Sequence, residues 1–250
     1  MNICSKNVYF LHIPKTGGSY VHQGKPITPI INLGHKNILD NPNDFDIFEN
    51  PLYYKDFQNK ERVRKNHLGI SAQSIQNKFI FSNIRNIFKW LVSFAGHIGC
   101  WNAKHNVGSM HYDYKYAQKG FDYYIKTIAN RTFPYPSKKF LFTQLFSSQG
   151  SFIVDWLNYT DTLDNDLKSL AKFKNLKYAK KNKIRVGNNK DYRMYYTSDL
   201  IDLVYKTWDR EIKLYNFDFD NNKQHSNKLS HLIKQPKLKY TWIDDKFELL

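Results

Sequence analysis

The chain has 250 residues, of which 41% are hydrophobic and 24% are charged, a composition typical of a globular protein with a sizeable core. No window approaches the run of about 20 apolar residues that a membrane span requires. The first residues lack the apolar region and small-residue cleavage site of a secretion signal. Two cysteines, Cys4 and Cys100, are too few for a disulfide framework. We therefore expect one domain over residues 1–250 and either a cytoplasmic location or a domain cut from a larger protein.

The chain is strongly basic, because 38 Lys and Arg against 22 Asp and Glu give a formal net charge of +16. Part of this excess is local, since residues 172–185 are rich in lysine and residues 221–243 contain no acidic residue. We treat 221–250 as a basic C-terminal extension. Two interpretations are open: a solvated lysine-rich surface, or a surface that attracts phosphates, sulfates, uronic acids or anionic membranes.

Two apolar runs have the β-branched and aromatic content of short buried strands. They are "NVYFL" at 7–11 and "KFIFSN" at 78–83. A long connection of weak periodicity separates them. Because structureless connections of that length are uncommon in compact domains, we expect it to carry short helices and functional residues.

Three later segments have helical features. Residues 86–97 place apolar side chains at helical spacing, 162–173 follows the apolar run 152–157, and 197–215 begins with a Thr–Ser cap. Strand and helix signals thus alternate along the chain. This alternation predicts an α/β fold with a mainly parallel sheet.

The stretch "HIPKTGGS", His12–Ser19, follows the first predicted strand and has the composition of an anion-binding loop. Its two glycines allow successive N–H groups to converge, its hydroxyls add donors, and Lys15 adds a positive charge. A helix start after the loop would add a favourable dipole, although Gly24 and Pro26 limit that helix to one or two turns. The lysine precedes both glycines, unlike G-x-x-x-x-G-K-[ST], and no G-x-G-x-x-G is present. The alternative is a tight strand–helix turn with an incidental lysine.

"HIPKTGGS" resembles the 5′-phosphosulfate loop of sulfotransferases that use 3′-phosphoadenosine 5′-phosphosulfate (PAPS), closest to the branch with carbohydrate 2-O-sulfotransferases and their bacterial and viral relatives. "KFIFSNIRNIFKWLVS" at 78–93 is similar to the family's 3′-phosphate segment, with Arg85 and Ser93 at the family spacing of eight. Residues 195–219 are similar to its C-terminal helix. The resemblance covers most of 6–219. It implies a three-layer P-loop-like fold in which helices flank a central, mainly parallel sheet.

The resemblance also implies a set of cofactor contacts. These are Lys15, Thr16, Gly17, Gly18 and Ser19 for the 5′-phosphosulfate, Arg85 and Ser93 for the 3′-phosphate, and Asn188 as a further contact. The cofactor is PAPS, the released product is 3′-phosphoadenosine 5′-phosphate (PAP), and no metal is expected.

Sulfuryl transfer needs positive charge on the leaving group and a base for the acceptor hydroxyl. We assign the first role to Lys15. Histidine suits the second near neutral pH, and the resemblance implies His67, which precedes the 3′-phosphate segment. His35 is the alternative base. His12 is expected either to point away from the site or to support the loop.

The segment 97–116 mixes aromatic residues, histidines and lysines, which suits a sugar or an anionic polymer. We therefore expect the acceptor to be a hydroxyl of a carbohydrate or anionic glycan, and expect no nucleic-acid partner. Alternatives stay open. They are a protein tyrosine or small phenol as acceptor, a P-loop kinase or NTPase, and a non-catalytic protein that binds polyanions or nucleic acid.

Overall fold

The computed structural model of the protein describes residues 8–13, 15–34, 38–39, 70–75, 77–100, 114–130, 145–147, 151–180, 191–220, 238–241 and 246–249. The chain groups into two compact units. The first comprises Met1–Ile84, Phe142–Arg185 and Asn227–Leu250, and the second comprises Arg85–Leu141 and Val186–Ser226. One domain over the whole chain stays a prediction. Among the described residues, no helix has the length and apolar content needed to cross a membrane.

The strands run over Val8–Leu11 (β1), Ile27–Thr28 (β2), Ile31–Gly34 (β3), Ile38–Leu39 (β4), Ile70–Ser71 (β5), Phe79–Ile84 (β6), Trp156–Tyr159 (β7), Lys177–Tyr178 (β8), Leu238–Thr241 (β9) and Lys246–Leu249 (β10). The helices run over Gly18–Gly24 (α1), Ala72–Ile75 (α2), Ile87–His97 (α3), Tyr114–Ala117 (α4), Phe121–Ala129 (α5), Leu163–Phe173 (α6), Ser198–Thr207 (α7) and Asp209–Leu214 (α8), with a 3₁₀ turn at Tyr192–Tyr195.

The central sheet belongs to the first unit and has the strand order β3-β1-β6-β7. All three neighbouring pairs are parallel. β1 and β6 confirm the two predicted strands, and they pair from Val8 with Phe79 to Leu11 with Ser82. The fold is therefore mixed α/β, with a central parallel four-stranded sheet flanked by helices. Its P-loop-like, three-layer character stays a prediction.

Short two-stranded pairs accompany this sheet within the described ranges. β2 pairs with β8 and β9 pairs with β10, both antiparallel, whereas β4 pairs with β5 in parallel. The β9–β10 hairpin lies in the basic C-terminal extension.

One buried core contains side chains of β1, β2, β6 and β7 together with those of α1 and α6. Its buried members are Val8, Phe10, Val21, Ile27, Phe81, Trp156, Leu163, Leu167, Leu170 and Ala171. α6 confirms the helix predicted at 162–173, and its leucines lie three and four residues apart, which places them on one helical face. Removing a fully buried leucine side chain from water stabilises the folded state by about 1.5–3 kcal/mol.

Asp164, in the first turn of α6, connects this helix to α1 and β8. The Tyr20 hydroxyl on α1 donates to Asp164 Oδ1 at 2.8 Å. Partial burial raises the pKa of Asp164, but hydrogen bonds with Tyr178 and Tyr20 and two nearby lysines outweigh this effect, so the pKa lies below its ordinary value. The carboxylate is therefore held in its ionised form.

The second unit is helical in its described part, and it corrects one prediction. The helix predicted at 197–215 is two helices, α7 and α8, because Trp208 between them leaves helical geometry at φ −115° and ψ 32°. The Trp208 side chain is buried. α3 confirms the helix predicted at 86–97, and Asn86 caps it by accepting a hydrogen bond from Phe88 N at 3.0 Å. The sequence did not predict α5.

Candidate functional site

The order of strands creates a topological switch point between β1 and β6. From β1 the chain first enters β3 on one side of β1 and later enters β6 on the other side. In open parallel sheets, ligands bind outside the carboxyl ends of the strands at such a point. β1 ends at Leu11, so the stretch His12–Ser19 leaves the sheet at this position.

The backbone of the loop alternates in handedness. Lys15 has φ 64° and Gly17 has φ 82°, whereas Thr16 and Gly18 between and after them are not in the positive-φ region. Alternation of this kind turns successive N–H groups to one side and forms a concavity that suits an anion. A positive φ is costly for lysine, so Lys15 is held in this conformation by the loop around it.

Thr16 shapes the loop from inside. Its side chain is fully buried, and its hydroxyl donates to Ile13 O at 2.8 Å. The sequence predicts that this hydroxyl donates to an anion. In the structure its single proton is already used, so the group that Thr16 can offer an anion is its backbone N–H. Ser19 is half-buried in the first turn of α1, a helix of seven residues, as the glycine and proline near its end predicted.

Gly17 and Gly18 are each required because a different neighbouring side chain leaves no room for a Cβ. A Cβ on Gly17 would lie 2.8 Å from Leu163 Cδ2, and a Cβ on Gly18 would lie 1.7 Å from His12 Nε2. His12 in turn stacks on Phe10, with ring centroids 5.6 Å apart. The imidazole therefore connects the core beneath the sheet to the backbone of the loop. Of the two alternatives for His12, this contact favours the supporting one.

At its carboxyl end, β1 pairs with β6 in an unbroken register, whereas its pairing with β3 is irregular. The buried Ser82 hydroxyl on β6 donates to Leu11 O at 2.7 Å. On the other side, the register between β1 and β3 shifts between Phe10 and Leu11. The loop thus begins at a strand end that is tied to its β6 neighbour.

The predicted 3′-phosphate residues belong to the second unit. Arg85 is half-buried and directly follows β6 in the chain, and Ser93 is half-buried on α3. Between them, the Asn86 amide donates to Asp218 O at 2.7 Å. The Tyr196 hydroxyl donates to Phe88 O at 2.9 Å, and burial raises the pKa of Tyr196 well above its ordinary value. The structure therefore packs the segment 78–93, from Asn86 onward, against the segment 195–219.

Three predicted residues lie outside the described residues: His67, His35 and Asn188. The assignment of the base and of the Asn188 contact stays a prediction. Within the described ranges, no group of three His, Cys, Asp or Glu side chains could hold a metal ion.

Sequence reasoning missed a buried polar network beside the loop. Asn83 and Asn158 are fully buried partners on β6 and β7. Trp156 Nε1 donates to Asn158 Oδ1 at 2.8 Å, and Asn158 Nδ2 donates to Asn83 Oδ1 at 2.9 Å. The available signal was an asparagine inside the apolar run "KFIFSNI", because buried amides are retained where they are hydrogen-bonded or functional.

No protein-family model, no curated protein and no solved structure matches this chain. A functional assignment therefore depends on the residues and on the geometry of the loop.

Proposed function

We propose that this protein is a PAPS-dependent sulfotransferase that transfers a sulfuryl group to an acceptor hydroxyl of a carbohydrate or glycoconjugate. The observation that carries the proposal is the His12–Ser19 loop. It combines a lysine, adjacent glycines and alternating backbone handedness at the switch point of a parallel sheet. The P-loop-like, three-layer arrangement is part of the same proposal.

The loop fits the 5′ end of such a cofactor. The N–H groups from Thr16 to Ser19 are suited to phosphate oxygens, because the positive φ of Gly17 turns its neighbours' N–H groups inward. Side chains at Gly17 and Gly18 would collide with Leu163 and His12, so only glycine at these two positions lets the loop backbone keep this shape against its neighbours. Lys15 adds charge without the directional demands of arginine.

When bound, PAPS supplies the sulfuryl group and is released as PAP. In this scheme the loop N–H groups orient the 5′-phosphate, and the Lys15 ammonium stabilises the negative charge that develops on its bridging oxygen. A histidine accepts the proton of the acceptor hydroxyl, and we assign this role to His67, with His35 as the alternative. Positioning and electrostatics thus supply most of the rate enhancement.

The other end of the cofactor is assigned from the resemblance. Arg85 and Ser93 have the family spacing, and a guanidinium can donate two parallel hydrogen bonds to a phosphate. Asn86 supports this assignment because it both caps α3 and bonds to Asp218 O, which fixes the chain next to Arg85.

The acceptor class rests on charge and composition. A formal charge of +16 attracts anionic glycans, and the segment 97–116 supplies the aromatic and basic residues that bind sugars. The same charge favours a second candidate, a non-catalytic protein that binds polyanions.

Ligand binding followed by transfer separates these candidates. We expect PAP, but not ATP, to raise the melting temperature of the protein, and ³⁵S from labelled PAPS to appear on a member of a glycan panel. Lys25→Ala is the matched control for Lys15→Ala, because Lys25 is an exposed lysine that also has positive φ, at 47°. Salt-sensitive binding to any polyanion, without a nucleotide preference and without transfer, favours the non-catalytic candidate and overturns the enzyme.

A further inference from the structure

The Asn83 side chain is the end of a chain of hydrogen bonds whose direction is fixed. An indole N–H can only donate, so the Asn158 atom that faces Trp156 at 2.8 Å must be its amide oxygen. Asn158 then presents its NH₂ group to Asn83, which accepts with Oδ1 at 2.9 Å. The remaining terminal atom of Asn83, Nδ2, is therefore an NH₂ donor, and this assignment does not depend on an arbitrary amide orientation.

This donor has no acceptor among the residues that the structure describes. Asn83 is fully buried, and its Nδ2 makes no hydrogen bond in the described part of the chain. Leaving a buried donor without a hydrogen bond is unfavourable. We therefore look for an acceptor outside the described residues, such as a bound ligand.

Three relationships place Nδ2 on the side of the loop. Oδ1 is turned to Asn158 on β7, and β1 lies on the opposite side of β6, so Nδ2 lies on the β1 side of the amide. Continuing the register of Leu11 with Ser82 by one residue sets Asn83 level with His12. The rings of Phe10 and Phe81 stack at 5.0 Å, so Asn83, two residues after Phe81, shares a sheet face with the Phe10–His12 stack.

We propose that Asn83 Nδ2 donates a hydrogen bond to an oxygen of the phosphate or sulfate group that the His12–Ser19 loop binds. Asn83 is thus a binding residue that completes the loop from the neighbouring strand, and Trp156 and Asn158 fix the orientation of its amide. The inference rests on one part of the proposed function, namely that the loop binds an oxyanion. It does not require sulfuryl transfer.

The substitution Asn158→Asp tests this orientation without touching the loop. A carboxylate at 158 accepts from both Trp156 Nε1 and Asn83 Nδ2, which reverses the Asn83 amide and turns its oxygen toward the loop. Donors to a charged group are worth about a tenfold to hundredfold change in affinity, so we expect weakening of inorganic phosphate binding by that factor. The control is Asp155→Asn, which changes a side chain that accepts a hydrogen bond from Ile80 N near the amino end of β6, away from the loop, and should leave phosphate affinity unchanged.

The wild-type protein provides a second measurement that needs no variant to fold. In ¹⁵N-labelled protein titrated with inorganic phosphate, the side-chain amide signals of Asn83 should shift with the same midpoint as the backbone amides of Gly17 and Gly18. The inference is wrong if the glycine amides respond and the Asn83 amide does not, or if Asn158→Asp folds and binds phosphate like the wild type. If neither set of signals responds, the anion loop and this inference fall together. Phosphate binding through Asn83 in a protein that transfers no sulfuryl group overturns the enzyme and leaves the inference standing.

Discussion

The imidazole of His12 occupies the space that a side chain at Gly18 would need. A Cβ built on Gly18 lies 1.7 Å from His12 Nε2 and 1.8 Å from its Cδ2. His12 is thereby held between the loop backbone and the Phe10 ring. Through this contact with Gly18, the shape of the loop depends on His12, the residue at which the loop begins.

A double-mutant cycle on this pair measures the dependence. Gly18→Ala should lower the free energy of unfolding by about 1 kcal/mol, because the imidazole loses its stacking on Phe10. In a His12→Ala background the same change should be neutral or stabilising, since alanine is the better residue in a helical turn. Urea unfolding of the four proteins gives the coupling. Equal effects of Gly18→Ala in both backgrounds would contradict the contact.

Two half-buried carboxylates, Asp164 and Asp155, should affect acid unfolding in opposite ways. The pKa of Asp164 is lowered in the folded state, so its contribution to stability is present above the unfolded pKa and is lost as pH falls through the folded value. The pKa of Asp155 is raised, chiefly by burial, although its carboxylate accepts a hydrogen bond from Ile80 N at 2.7 Å. Its contribution is therefore present below the unfolded pKa and is lost as pH rises through the folded value.

The measurement is urea unfolding between about pH 3 and pH 6, where carboxylates titrate. Asp164→Asn should flatten the loss of stability on acidification, and Asp155→Asn should steepen it. The two variants serve as each other's control, and a change of the same sign in both would contradict the assigned directions.

Lys15→Ala should separate catalysis from binding if the lysine acts on the leaving group. We expect the turnover number to fall about a hundredfold, because a charge that stabilises the transition state is lost, while the affinity for PAP changes much less. Steady-state sulfuryl transfer and calorimetric PAP binding measure the two effects, with Lys25→Ala expected to leave both unchanged. Equal losses in turnover and affinity would show that Lys15 is only a binding charge.

The proposed assignment of the base to His67 is tested by the pH profile. His67→Ala should lower the turnover number by about 10²–10⁴ and remove the fall in activity below about pH 6.5, because no imidazole is left to be protonated. His35→Ala should retain the wild-type rate and profile. The reverse pattern assigns the base to His35.

The sequence predicted the elements whose signals are local. β1 and β6 are runs of aromatic and β-branched residues, and α1 ends where a glycine and a proline allow. The predicted helix over 197–215 failed at Trp208, because an apolar residue at helical spacing gave no sign that its backbone leaves the helix. The edge strand β3 was not predicted, since a four-residue segment after a proline has little periodicity to read.

The candidate site divides in the same way. Lys15 and the two glycines could be found from composition, whereas the role of Asn83 depends on its pairing with Asn158, a residue on a different strand. The sequence contains no pattern that predicts this pair. It also gives no sign that the Thr16 hydroxyl donates to Ile13 O inside the loop. These properties arise from strand register, which is set by the folded sheet as a whole.

The end of β1 pairs differently with its two neighbours, and this difference determines where insertions are tolerated. Ser82 fastens Leu11 to β6, while the pairing with β3 slips by one residue at the same point. Lengthening or rebuilding the chain on the β3 side should therefore leave the His12–Ser19 loop in place, and insertions for reporter tags belong there. A one-residue insertion in β6 would instead carry the loop's anchor with it.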